Sequence, residues 1–167
     1  MSLRNYKATV CWMVISWLLA ACNSQTVYHQ FRYIDENGWR VTDTISLEVP
    51  LQDSLRSHLL TLQLRHTAHF PYKNIVIGLQ AWSPDSLFTQ AQQFSVRLMD
   101  EQNNWSSSGQ GGFFQLDMGE MQLKPSPPGN WHFHIFQLMG DSLLPGIHDI
   151  GIKVSALPTG IYTQEDK

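Results

Sequence analysis

Cysteine is almost missing from this sequence. Of 167 residues only Cys11 and Cys22 carry a thiol, and both lie near the start. Beyond residue 22 the chain has no means of forming a disulfide, a thiolate nucleophile or a cysteine metal site. Its core must hold without covalent staples. Charge is also sparse. Asp, Glu, Lys and Arg make up 15% of the chain, eleven basic against fourteen acidic, with no basic stripe. That balance excludes the electrostatic footprint of a nucleic-acid binder, and adhesion to anionic headgroups by charge alone. After the first 21 residues no apolar run is long enough to span a bilayer. There is no Gly-x-Ser-x-Gly elbow. The loop Gly109-Gln110-Gly111-Gly112 is followed by Phe113 and Phe114, where a phosphate cradle needs a Lys-Ser/Thr pair and a helix. It reads as a turn. No cofactor motif is found, and no cofactor is expected. Paired acids such as Asp35/Glu36 and Asp100/Glu101 stand in turns, where acids are commonplace. A hydrolase would need a cleft with two carboxylates or a His–Ser pair.

What the chain does have is a leader. Arg4 and Lys7 precede residues 10–21, an apolar run whose only hydroxyl is Ser16. The run is too short to span a membrane and matches the apolar region of a signal peptide. It closes with Leu19-Ala20-Ala21-Cys22, which resembles the lipobox of a bacterial lipoprotein. The expectation is a signal peptide at 1–21, lipidation of Cys22 after cleavage, and an anchor with short spacer at 22–27. Several acyl chains together give stable anchoring, where one gives only marginal binding. Loss of Arg4 and Lys7 leaves nine basic against fourteen acidic residues, a formal charge of −5.

The remainder alternates with period two. Residues 26–34 are aromatic and β-branched, and Glu36-Asn37-Gly38 is a turn. Over 39–49, Trp39, Val41, Asp43, Ile45, Leu47 and Val49 share one face, which predicts one half-buried strand ending at Pro50. Leu60, Leu62 and Leu64 share a face in 59–66. Residues 74–82 are compactly apolar, with Gly78 marking a bulge or a close backbone approach. Further strands are predicted to Met99, over 112–123, over 130–139 and over 147–157. Residues 100–112 form a loop, and Pro125-Ser126-Pro127-Pro128-Gly129 is a breaker. About eight strands with turn signals between them predict an all-β, antiparallel, jelly-roll-like β-sandwich over 28–158, with a polar tail at 159–167.

Candidate chemistry is thin. His132 and His134 flank Phe133 on one strand, so both imidazoles share a face. No third ligand is nearby, and no metal site is expected. His66 and His69, next to Phe70-Pro71-Tyr72 and Arg65, form a polar aromatic corner at a strand end. Trp39 and Trp131 fall on core-facing alternations, whereas Trp105 stands in the polar Asn103-Asn104-Trp105-Ser106 loop. Arg65, His69, Tyr72 and Trp105 are the candidate partner or ligand surface.

The lipobox, the segment Arg65-His66-Thr67-Ala68-His69-Phe70-Pro71-Tyr72-Lys73-Asn74-Ile75, the Trp105–Gly112 loop and the closing stretch Leu138-Met139-Gly140-Asp141-Ser142-Leu143-Leu144-Pro145-Gly146-Ile147-His148-Asp149-Ile150-Gly151-Ile152 resemble the gliding-motility lipoprotein family GldH. The resemblance implies a cell-envelope lipoprotein of Bacteroidetes-type bacteria, associated with motility machinery and without catalytic residues to carry over. Arg65, Pro71, Tyr72, Asn74, Pro145, Gly146, Asp149 and Gly151 match its recurring segments and are expected to serve the fold. In that setting Asp53-Ser54-Leu55, Asp85-Ser86-Leu87, Asp141-Ser142-Leu143 and Asp43-Thr44-Ile45 resemble O-glycosylation acceptors at Ser54, Ser86, Ser142 and Thr44. Asn23-Ser24-Gln25-Thr26 lacks the acidic cluster of a surface-export signal, so the expected place is the outer membrane, facing the periplasm. The expected role is non-catalytic, through protein–protein contacts in an envelope or motility assembly. A glycan-binding module using Trp105 and Tyr72 is the alternative.

Overall fold

A computed structural model describes residues 26–107 and 109–158. The leader, Cys22 and the tail lie outside the described residues. Eight long strands are β1 (Thr26–Tyr33), β3 (Ile45–Leu51), β4 (His58–Thr67), β5 (Asn74–Trp82), β6 (Phe88–Arg97), β8 (Phe113–Leu123), β9 (Gly129–Gln137) and β11 (Ile147–Ala156). Three two-residue strands, β2 (Trp39–Arg40), β7 (Gly109–Gln110) and β10 (Leu143–Leu144), complete the set.

The sheet orders are β1-β11-β4-β8-β7 and β3-β9-β5-β6, with β10-β2 as a separate pair. Among the long strands the first pairs with the last, the second with the seventh, the third with the sixth and the fourth with the fifth. This is a long antiparallel hairpin wrapped over on itself, the jelly roll expected from the strand count. No helix among the described residues is long and apolar enough to cross a membrane.

Period-two alternation decides which side chains meet between the sheets. Leu60, Leu62 and Leu64 of β4 and Ile150, Ile152 and Val154 of β11 face inward from the first sheet, all fully buried. Leu47, Val49, Ile77, Leu79, Phe133 and Ile135 meet them from the second. Trp131 joins this layer, while His132 and His134 point to the opposite face of β9. Gly78 carries no bulge: pairing with β6 and β9 runs through it unbroken. A Cβ there would lie 2.5 Å from the Phe136 ring, so the close-approach reading holds.

The expected single strand over 39–49 is corrected to a pair, β2 and β3, separated by a turn. Asp43 N–H donates to Arg40 O at 3.0 Å, and Val41 is 48% exposed. Trp39 remains buried because its indole N–H donates to Asp43 O at 2.9 Å and β2 pairs with β10. Turn chemistry at Thr42-Asp43 overrides the alternation. Pro50 lies inside β3 instead of ending it. The strand is an edge of its sheet, where a missing N–H is tolerated. The loop at 100–112 is partly paired: Met99 bridges Trp105, and β7 pairs with the start of β8.

One turn holds the far end of the sandwich closed. Gly146 has φ +80, and a Cβ on it would lie 2.5 Å from Phe70 N. Gly146→Ala therefore combines a left-handed backbone with a backbone clash, and is expected to cost about 2–4 kcal/mol. Gly140→Ala, in open space with an ordinary φ, is expected to be neutral or stabilising by up to about 1 kcal/mol. Urea unfolding of both variants checks the contrast.

Candidate functional site

The two long segments quoted above meet in space. Thr67 N–H donates to Gly146 O at 2.8 Å. Tyr72 O–H donates to Asp141 Oδ2 at 2.5 Å, and Gln137 Nε2 donates to Asp141 O at 2.9 Å. The accepting carboxylate pushes the Tyr72 phenol above its ordinary pKa, because losing its proton would set two anions side by side. Phe70 is buried beside Tyr72, ring centroids 5.5 Å apart. The Phe70-Pro71-Tyr72 corner is thus a packed strut between loops.

The outer face of the first sheet carries a network that no single strand reveals. Cross-strand register sets Phe31 beside Gly151, Gly151 beside Gln63, Asp149 beside Arg65 and Arg65 beside Gln115. Gly151 leaves room for the Phe31 ring, since a Cβ there would lie 2.6 Å from it. The Arg65 guanidinium carbon sits 3.8 Å from the Phe31 centroid, a cation–π contact. Arg65 Nε donates to Gln115 at 2.9 Å, and its Nη1 reaches Asp149 Oδ2 at 3.4 Å. His148 Nδ1 lies 2.6 Å from the same oxygen. A second line runs beside it: His29 Nε2 donates to Gln63 Oε1 at 2.6 Å, and Gln63 Nε2 donates to Asp117 at 2.7 Å. Asp149 is buried, and among the described residues its Oδ1 has no protein donor.

A groove of about 310 Å³ opens at the end of this face, lined by Tyr33, Glu36, Thr67, His69, Gly146 and His148 among others. His148 joins groove to network. Its ring meets Tyr33 edge-on at 5.3 Å and Phe113 at 4.2 Å. Of the four sequence candidates, Arg65 belongs to the network and His69 lines the groove. Trp105 and Tyr72 lie in a row of rings inside the same end: Trp105 is 4.5 Å from His66, His66 is 6.0 Å from Phe70, and Phe70 abuts Tyr72. Trp105 is half-buried by this packing. His66, expected in a polar corner with His69, is instead fully buried and stacked on Phe114 at 5.4 Å.

The sequence reading missed Gln63, Phe31, Tyr33 and His148. Gln63 gave one signal, an amide in a leucine-rich strand. Among the described residues no three His, Cys, Asp or Glu are grouped to hold a metal ion. Thr44, Ser86 and Ser142 stand on exposed loops, and Ser54 is half-buried on another. The face offers fixed donors and acceptors beside aromatic rings, an arrangement suited to recognition.

Arg65→Ala removes a stacked cation and leaves Asp149 short of a partner, with an expected loss of about 1–3 kcal/mol. Arg65→Lys keeps the charge without the planar fork, and is expected to recover less than roughly half of it. Chemical denaturation reads both. Burial holds the His66 imidazole below its ordinary pKa, against a smaller opposing effect of its contact with Thr67 O. The unfolded chain then takes up the proton first, so stability is full above pH about 6.5 and falls as pH drops below it. His58, likewise lowered by burial, adds to the same trend. His66→Phe should flatten part of that decline in a series of melting temperatures against pH.

Comparison with known proteins places these features. A family model described as GldH lipoprotein matches residues 26–154. The gliding motility lipoprotein GldH of Flavobacterium johnsoniae is 20% identical over 146 residues, covering 82% of this chain and 89% of that protein. Solved structures are more distant. The infectious bursal disease virus Gt strain gives a TM-score of 0.38 at 12% identity, covering 85% of this chain and 31% of that one. Dimeric latent PorU from Porphyromonas gingivalis gives 0.37 at 8% identity, covering 81% of this chain and 13% of that one. With the family model spanning both segments and the strands between them, the chain belongs to the GldH lipoprotein family.

Proposed function

We propose that this lipoprotein is a non-catalytic docking domain, tethered through lipid on Cys22 in the outer membrane, facing the periplasm. It works by protein–protein contact within an envelope assembly serving motility or a related process. The observation that carries this reading is the convergence of the Arg65–Ile75 and Leu138–Ile152 segments on one face. There Arg65, Asp149 and His148 form a pre-ordered polar patch beside a groove rimmed by Tyr33 and His69. Pre-ordered side chains lower the entropy lost on docking, and partly exposed Arg and Tyr are the residue types on which interfaces depend most.

Glycan stacking on Trp105 and Tyr72 is the weaker reading. The Trp105 ring already packs against His66 and Phe114, and the Tyr72 hydroxyl is engaged by Asp141.

Crosslinking in whole envelopes, followed by recovery of the full-length chain, tests the proposal. The wild type should bring down a defined envelope protein. Tyr33→Ala, at a 58% exposed position, should cut that recovery several-fold while leaving the melting temperature near wild type. His148→Ala should cut it as well, with a lower melting temperature because buried Asp149 loses a partner. Recovery of no envelope partner, or equal recovery by both variants, overturns the docking role. Cys22→Ser should move the protein out of the membrane fraction. If it stays there, the anchor is elsewhere.

A further inference from the structure

The two ends of the sandwich differ in a way the docking role does not use. One end carries the start of β1, the end of β11 and the turns at 52–57, 83–87 and 124–128. Register fixes this grouping. Thr26 pairs with Ser155, Ala156 with His58, His58 with Leu123, Leu51 with Gly129, and Trp82 with both His132 and Phe88. Leu157 N–H donates to Ser57 O at 2.8 Å across the same end.

This end displays apolar side chains on rigid turns. Leu55 is 90% exposed, Leu87 62% and Phe88 50%. Leu55 is no frayed tip: Asp53 Oδ1 accepts from Leu55 N–H at 3.0 Å and from Arg56 N–H at 3.3 Å. Leu87 closes a hairpin turn in which Ser83 N–H donates to Leu87 O, Ser86 N–H donates to Ser83 O, and the Ser83 hydroxyl donates to Asp85. Phe88 stands edge-on to Trp82, ring centroids 5.3 Å apart. Holding large apolar groups out in water on ordered turns has a cost that an apolar partner removes.

Exposed apolar groups also occur at the opposite end, at Val41, Leu138 and Leu143, so it is charge that separates the ends. The turns at 52–57, 83–87 and 124–128 hold Asp53 and Asp85 against Arg56 and Lys124, a formal balance of zero. The opposite loops, at 34–44, 68–73, 98–112 and 138–146, hold six acids against Arg40 and Lys73. The distance to Cys22 selects the occupant. Three residues lie between Cys22 and Thr26, and the four Cα–Cα steps span at most about 14 Å in any conformation. A lipidated Cys22 therefore keeps the neutral apolar end within reach of the headgroup region. The acidic end stands roughly 25 Å further out, the length of β1.

We propose that Leu55, Leu87 and Phe88 form a membrane-contacting rim that seats the domain upright on the lipid surface. The docking face at Tyr33 and His148 is then presented away from the bilayer. The contact is apolar, so it needs no anionic lipid and is insensitive to salt. Ser54 and Ser86 lie at the lipid surface in this pose, whereas Ser142 and Thr44 lie at the free end. The inference rests on the lipid anchor at Cys22.

The body of the protein has no cysteine, so single labels are specific once Cys22 is capped by lipid. The full-length lipidated chain, carrying Leu55→Cys, Leu87→Cys or His69→Cys and an environment-sensitive fluorophore, is placed in phosphatidylcholine vesicles. Quenching by acyl-chain nitroxides should be several-fold stronger at positions 55 and 87 than at 69, and unchanged by added salt. Leu87→Asp, at an exposed position that leaves the fold intact, should reduce quenching at position 55. Equal quenching at all three positions, or none at 55 and 87, overturns the rim. Intact mass separates the two claims. Lipid on Cys22 with an unquenched rim overturns the rim and leaves the anchor standing. No lipid on Cys22 overturns both.

Discussion

Strand β11 is the constraint on which this structure turns. It lies between β1 and β4, so the last strand of the chain is held by the first and by the third long one. Its pleat sends Ile150, Ile152 and Val154 into the core, which commits Asp149, Gly151 and Lys153 to the opposite face. A slip of one residue would turn Asp149 and Lys153 into the apolar layer between the sheets and turn the isoleucines out. Stability and site geometry therefore depend on the same register. Gly151 completes the arrangement, because only its lack of a side chain lets Phe31 lie where Arg65 can stack on it.

The alternating strands were readable in the sequence because each buries one face. Leu60, Leu62 and Leu64, or Trp131, Phe133 and Ile135, announce a core side without any partner being known. The reading failed at Val41 and Asp43, where alternation persisted through what is in fact a turn; a two-residue period cannot tell an exposed valine from a buried one. The outer-face network was hidden for a different reason. Gln63 and Asp117 are 54 residues apart, and Arg65 and Asp149 are 84 apart. Only pairing of β4 with both β8 and β11 brings them together. The family resemblance named Arg65, Asp149 and Gly151 without showing that Arg65 reaches Asp149, or that Gly151 makes room for the Phe31 ring on which Arg65 stacks.

The fold also divides labour between its ends. Wrapping a long hairpin into a jelly roll places alternate connections at opposite ends. Short turns such as 83–87 and 124–128 gather beside the start of β1, and the longer loops at 34–44 and 98–112 gather opposite. Short turns suit a surface that must be flat and fixed. Longer loops, packed here through Trp105, His66, Phe70 and Tyr72, can carry a shaped and charged surface. Under the proposed lipid tether on Cys22, each end would have its own surroundings, and the far end would gain effective concentration beside partners held in the same membrane.

Asp149 is the group on this face whose burial costs most. One of its oxygens is shared by Arg65 and His148, while the other is buried and has no donor among the described residues. An unsatisfied buried acceptor costs about 1–3 kcal/mol, a large part of the margin of a domain this size. A purely structural position would be served as well by a smaller apolar residue. The carboxylate instead fixes a half-exposed guanidinium and a half-exposed imidazole at one end of the groove. Under the proposed docking role, the carboxylate holds Arg65 and His148 in place before a partner's acceptor arrives, so the cost of its burial is offset by the ordering it gives the groups that would be met.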